Sequence, residues 1–184
     1  MIMANDVRLR KNEINWCQKH AEEIVEHYGG NGTKGSGSYA HNKISSNMVG
    51  VKCEVGTAIF LKRHFDDEII QRNYEDFKNK KLKGDIEING HILEVKGLRP
   101  HQWSKFKRCI PPNQLKNYVA ENAIVIWATA SGDQKNDKVR IYGWNYAADV
   151  EEKGVFRQTI CANIWLEEDE DMRDMRELIE VLNR

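Results

Sequence analysis

The chain has 184 residues, 40% hydrophobic and 30% charged, and its 28 Lys/Arg balance 28 Asp/Glu, which fits one α/β domain with a proper core rather than two. No apolar run approaches the roughly 18–20 residues of a membrane span, and the opening Met-Ile-Met-Ala-Asn-Asp has no basic region ahead of an apolar core, so neither a membrane partner nor a secretion signal is expected. Cys17, Cys53, Cys109 and Cys161 show no CxxC spacing, which argues against zinc and for reduced thiols in a cytoplasmic protein.

Taken in order, residues from Asp6 to Tyr28 predict an amphipathic helix, with Ile14, Cys17, Ala21, Ile24, Val25 and Tyr28 at helical spacing and Gly29-Gly30 as its stop. Asn31 to Ser38 is a Gly/Ser-rich loop, whose Lys34 either tracks a phosphate backbone or belongs to a plain connector. Val49 to Phe65 predicts a second helix that carries Glu54 beside Cys53 and Gly56. Glu68 to Asn73 can form a strand, and Tyr74 to Lys83 is a polar connection rich in lysine.

Gly84 to Lys96 (GDIEINGHILEVK) is the most informative stretch. Two alternating runs flank Asn89-Gly90, the dipeptide of a two-residue type I′ hairpin. The register then pairs Ile88 with His91, Glu87 with Ile92, Ile86 with Leu93 and Asp85 with Glu94; directly opposed residues share a face with Cβ atoms roughly 4.5–5.5 Å apart. Lys96 points to the same face as Glu94. Two adjacent carboxylates repel unless a cation sits between them, and such oxygen ligands suit Mg²⁺. The neighbouring lysine can polarise a water or steady charge on a phosphate. The alternative is an ordinary surface hairpin with an Asp/Lys diagonal.

Beyond it, Arg99, His101, Trp103, Lys105, Phe106, Lys107 and Arg108 interleave bases with aromatics. That pattern suits either a loop that contacts phosphates and stacks on bases or core aromatics with a basic rim. Pro111-Pro112 opens a helix on which Gln114 and Tyr118, four apart, share a face. Ala123 to Ala130 reads as a strand buried on both faces, Lys138 to Trp144 as another strand, and Asn145 to Val150 as a short helix. Thr159 to Leu166 is a late strand and Asp171 to Leu182 a closing helix. Net neutrality hides an asymmetry: Arg72 to Lys116 holds eleven Lys/Arg against five Asp/Glu, and Glu167 to Arg184 eight acids against three bases. A basic centre of that kind is compatible with a local phosphate-binding face.

Asp85 followed by Glu94-Val95-Lys96 resembles the core of the PD-(D/E)XK nuclease superfamily, with Gly84 where the family name has proline. The Gln114/Tyr118 spacing resembles the QxxxY element of its RecB-like and lambda-exonuclease-like branch. The resemblance spans about Val49 to Trp144. It implies a restriction-endonuclease-like α/β fold, a mixed central β-sheet flanked by helices. It also implies a metal site of Glu54, Asp85, Glu94 and the Val95 carbonyl, holding Mg²⁺ with Mn²⁺ as a substitute. Lys96 would be the catalytic cation, Gln114 would place it or the phosphate, and Tyr118 would support.

The expected organisation is a single nuclease domain over 1–184: an N-terminal helix and loop to residue 48, a catalytic core over 49–144, and a C-terminal strand and helix over 145–184. The expected function is Mg²⁺-dependent hydrolysis of DNA phosphodiesters by a phage-type or DNA-processing endonuclease or exonuclease, with RNA not excluded and a homodimer compatible with the size. The alternatives are a junction resolvase, a non-catalytic nucleic-acid-binding module on the same fold, and an interaction protein whose acidic tail binds a partner.

Overall fold

The computed structural model describes residues 4–28, 44–79, 83–158 and 162–184; the Gly/Ser loop and Lys34 lie outside them. Its centre is a six-stranded mixed sheet. The strands are β1 (Asn5–Arg8), β2 (Gln71–Arg72), β3 (Ile86–Ile88), β4 (His91–Leu98), β6 (Ile124–Ala130) and β7 (Lys138–Tyr146), in the order β1-β7-β6-β4-β3-β2. Neighbours are antiparallel except β4 and β6, which run parallel. The remaining strands, β5 (Cys109–Ile110), β8 (Val155–Gln158) and β9 (Ala162–Trp165), form a separate three-stranded sheet ordered β5-β9-β8. A parallel pair needs a crossover longer than a hairpin. Here that crossover carries α3 (Trp103–Phe106), β5 and α4 (Pro112–Ala120).

β6 explains why the sheet is covered on both sides. All seven of its residues are buried. Ile124 and Ile126 join the larger core, whereas Val125 and Trp127 join the smaller one, the alternation that a period of two demands. The larger core packs beneath α1 (Lys11–Tyr28), α2 (Ile44–Leu61) and α6 (Met175–Leu182). The smaller gathers Leu115 of α4 and Val150 of α5 (Ala147–Lys153). Both cores therefore share one sheet.

Several elements differ from expectation. The first helix begins at Lys11, because Asn5–Arg8 forms β1 and pairs with β7. Val7 faces the core, while Asp6 meets Arg140 and Lys138, and Arg8 meets Asp137; alternation at so short a range is masked by the strong helical period that follows. The second helix runs Ile44–Leu61, earlier than expected, and Phe65 lies beyond its end. Glu68 to Asn73 is a 3₁₀ turn over Asp67–Ile69 and a strand of two residues. The closing helix starts at Met175, capped by the Asp174 side chain on the Arg176 N–H. Strands β5 and β8 were not foreseen, and residues 159–161 of the expected late strand lie outside the described residues.

The hairpin is as expected from Ile86 onward, with Ile86 opposite Leu93, Glu87 opposite Ile92 and Ile88 opposite His91. Asn89 and Gly90 both take positive φ, 49° and 80°, as a type I′ turn requires. The ladder ends one pair short. Gly84 turns the chain at φ 72°, the Asp85 N–H donates to the Leu93 carbonyl oxygen at 2.9 Å, and Asp85 is not strand-paired with Glu94. Its carboxylate turns instead across the end of the hairpin.

Candidate active site

The uncovered length of β4 builds the site. Past Leu93, β4 has β6 along one edge, while β3 no longer runs along the other. The Asp85 carboxylate fills that gap, accepting the Val95 N–H on Oδ2 at 2.8 Å. The Val95 backbone is thereby fixed beside Asp85, which brings its carbonyl to the same strand edge. Glu94 and Lys96 project from the sheet face opposite Leu93 and Val95, toward α4.

Proline at the first turn starts α4 where the chain returns to the sheet. Gln114 and Tyr118, one turn apart, present their polar ends together. Lys96 Nζ donates to Tyr118 Oη at 2.6 Å and to Gln114 Oε1 at 3.1 Å, and Tyr118 Oη donates to Gln114 Oε1 at 3.3 Å. The ammonium also lies 4.7 Å from the centre of the Tyr118 ring, within cation–π range. Lys96 is thus held in one position by three contacts from a single helix.

Glu94 also meets Tyr118. Burial pushes its carboxyl up from 4.5 to about 8, and the Asp85 charge adds to the rise against the opposing pull of Lys96 and a hydrogen bond from Tyr118. Burial likewise drives the Tyr118 hydroxyl well above its ordinary range, so it stays a protonated donor.

These groups border a cleft of about 1280 Å³, with Glu54 of α2, Asp85, Glu94, Gln114 and Tyr118 on its walls. Lys96 is not on the wall; its ammonium is drawn back onto Tyr118 and Gln114, which are. Of the expected metal ligands, Asp85 and Glu94 come together, and Glu54 shares their cleft. Among the described residues, no three His, Cys, Asp or Glu side chains converge into a cation cage. The donor set still fits a hard cation, because Mg²⁺-like ions are commonly held by one or two carboxylates with water and substrate oxygens. The arrangement fits such an ion shared with a ligand, and not a closed structural site.

Residues 97–108 do not line this cleft. Trp103 is half-buried, stacks on Tyr142 with ring centres 3.8 Å apart and packs against the smaller core, whereas Phe106, also half-buried, lies 6.0 Å from the Trp165 ring. Arg108 is fully buried, donating to Leu166 O at 2.9 Å, Glu167 O at 2.7 Å and Asp169 at 2.8 Å. It is a structural cation without surface for a phosphate, a correction that follows from its three acceptors. Lys107 is paired with Asp169 at 2.6 Å, and Arg99 donates to Ser45 and Ser46 Oγ at 3.1 and 3.3 Å. His101 and Lys105 are exposed. A further set, Tyr28, Phe77, Asn73 and Asn79, lines the same cleft as Asp85 and was missed. The crowding of Asn73, Tyr74, Phe77 and Asn79 in one polar connection was the available signal.

No family model, no curated protein and no solved structure matches this chain. No helix among the described residues is long and apolar enough to cross a membrane.

Proposed function

We propose that this protein is a divalent-cation-dependent phosphodiesterase that cuts DNA, built on a restriction-endonuclease-like core. The observation that carries the reading is the half-buried Asp85–Glu94 carboxylate pair beside an ammonium, Lys96, held in place by Gln114 and Tyr118. The D…EVK and QxxxY elements of the PD-(D/E)XK resemblance thereby fall on one connected set of side chains. The absence of proline before Asp85 does not weaken the resemblance here. At φ 72° that position is closed to proline, whose ring holds φ near −65°, and glycine provides the turn.

Asp85, Glu94 and the Val95 carbonyl would hold the ion, with Glu54 on the facing wall. Mg²⁺, or Mn²⁺ in its place, would supply Lewis-acid neutralisation of phosphate charge. The chain's own groups do the rest. Lys96 is one hydrogen bond behind the cleft surface, close enough to exchange Tyr118 Oη for a phosphate oxygen or an attacking water. Gln114 and Tyr118 keep the ammonium from wandering, which preserves its direction. In the hydrolysis, the water oxygen would bond to phosphorus and give up a proton as the phosphorus–oxygen bond to the leaving strand breaks, and the departing oxygen would take up a proton.

The test is cleavage of labelled linear and closed circular DNA with Mg²⁺ or Mn²⁺ against EDTA, for wild type and Glu94→Ala. Metal-dependent cutting lost in the variant supports the reading, and cutting of the circle excludes a strict exonuclease. Undiminished cutting by Glu94→Ala, or cutting in EDTA, would overturn it.

A further inference from the structure

Helix α2 carries two glycines, Gly50 and Gly56, and the fold accounts for one of them. Glycine is among the least favourable residues inside a helix, so each needs a reason. Gly56 has one in packing, because a methyl group there would meet the Val139 side chain of β7 at 2.7 Å. Gly50 has no such neighbour. A methyl group at Gly50 would meet no atom of the described residues within 4 Å, and its φ is not positive. Neither close packing nor turn geometry calls for glycine at this position.

Its place on the helix is the second observation. Ser46, Asn47, Gly50, Val51 and Glu54 line the cleft that holds Asp85 and Glu94, and at spacings of three and four they form one face of α2. Gly50 lies one turn before Glu54, about 6 Å along the helix axis. Asn47, Met48, Val49 and Val51 around it are buried, whereas Gly50 is half-buried. At this point the wall of the cleft is therefore the helix backbone itself. Glycine serves in this way where a backbone and a ligand must come close.

We infer that Gly50 is a specificity-determining residue: the nucleotide next to the scissile phosphate packs its sugar against the bared backbone of α2, one helical turn from Glu54. This rests on the nuclease reading for the identity of the ligand. Ser46, Asn47, Gly50 and Val51 carry no charge, so this stretch of wall suits the sugar, the neutral and compact part of a nucleotide, better than a phosphate. Any side chain at Gly50 would stand in the sugar's place.

The experiment compares wild type, Gly50→Ala and Gly50→Leu in thermal melts without DNA, in binding of one labelled sequence as single strand and as duplex in Ca²⁺, and in cleavage of both in Mg²⁺. Alanine and leucine are strong helix formers, so Gly50→Ala should melt about 2–4 °C higher than wild type and Gly50→Leu no lower. On the DNA form that wild type binds, affinity should fall about fivefold in Gly50→Ala and about a hundredfold in Gly50→Leu, following side-chain volume. Higher stability with weaker binding is an opposed pair that a purely structural role for Gly50 does not produce. A lower Tm for either variant would overturn the inference, because the chain itself would then fill the space above Gly50. Cutting by wild type, with Gly50→Leu binding and cutting as well, would overturn only the inference. Binding that falls with side-chain volume, without cutting by wild type, would overturn only the nuclease reading. Wild type that binds neither form would overturn both.

Discussion

The Val95 N–H donates to Asp85 Oδ2 at 2.8 Å, so a carboxylate stands where a neighbouring strand's carbonyl would otherwise be. One side chain is thereby both a piece of the sheet and a member of the candidate site, and the two roles can be separated. Asp85→Ala leaves the N–H without its acceptor and should cost about 1–3 kcal/mol, a drop in Tm of roughly 2–12 °C for a chain of this length. Asp85→Asn keeps an oxygen for the N–H and should hold most of that stability while abolishing cleavage. Thermal melts of both variants check this; equal destabilisation by Asn and Ala would refute the hydrogen-bond account.

Glu94 ties stability to pH. Its folded-state value of about 8 lies above the ordinary 4.5, so between these values the folded chain holds a proton that the unfolded chain has released. The contribution is full below about 4.5 and is lost as pH rises through about 8. Glu94→Gln, neutral throughout, should match wild type near pH 4 and melt at least about 2–4 °C higher at pH 8–9. Added Mg²⁺ should raise the Tm of wild type at pH 8 but leave the variant unmoved. Parallel pH profiles for the two proteins would contradict this assignment.

Lys96 and its holders should separate in kinetics. Lys96→Ala is expected to abolish cleavage while sparing DNA binding. Tyr118→Phe removes the 2.6 Å contact yet keeps the ring and Gln114, and should slow the chemical step about 10–100-fold at unchanged affinity. Single-turnover rates beside equilibrium binding distinguish the two. A Tyr118→Phe protein that cuts at the normal rate would show that the positioning is unnecessary.

Arg108 makes the opposite prediction. Its three acceptors make Arg108→Ala destabilising by about 3 kcal/mol through stranded carbonyls and a cavity, visible as a lower midpoint in urea. DNA affinity of the folded fraction should not change. Selective loss of affinity at normal stability would restore Arg108 to the nucleic-acid surface.

The legible parts of this chain were those fixed by short-range chemistry. Asn89-Gly90 dictates its turn, the turn dictates the register to Ile86, and the register puts Glu94 and Lys96 on one face. Pro112 likewise sets the start of the helix that turns Gln114 and Tyr118 toward Lys96. What escaped depends on distant partners. Val7 looks helical until β7 supplies its edge, and Arg108 looks like a phosphate contact until Leu166 and Glu167 fold over it. Tyr28 and Phe77 meet across forty-nine positions, which no local pattern announces.

The pairing of β1 with β7 has a temporal side. Asp6 and Arg140 meet across 134 positions, so during synthesis β1 waits until the residues between them are made. Until then β1 is without its partner strand, an unpaired segment on which another unfinished chain could pair. Closing so long a loop is slow, and its contacts should form late. Val7→Ala should therefore speed unfolding while leaving the refolding rate nearly unchanged, and stopped-flow chevrons for the two proteins would measure how late that strand arrives.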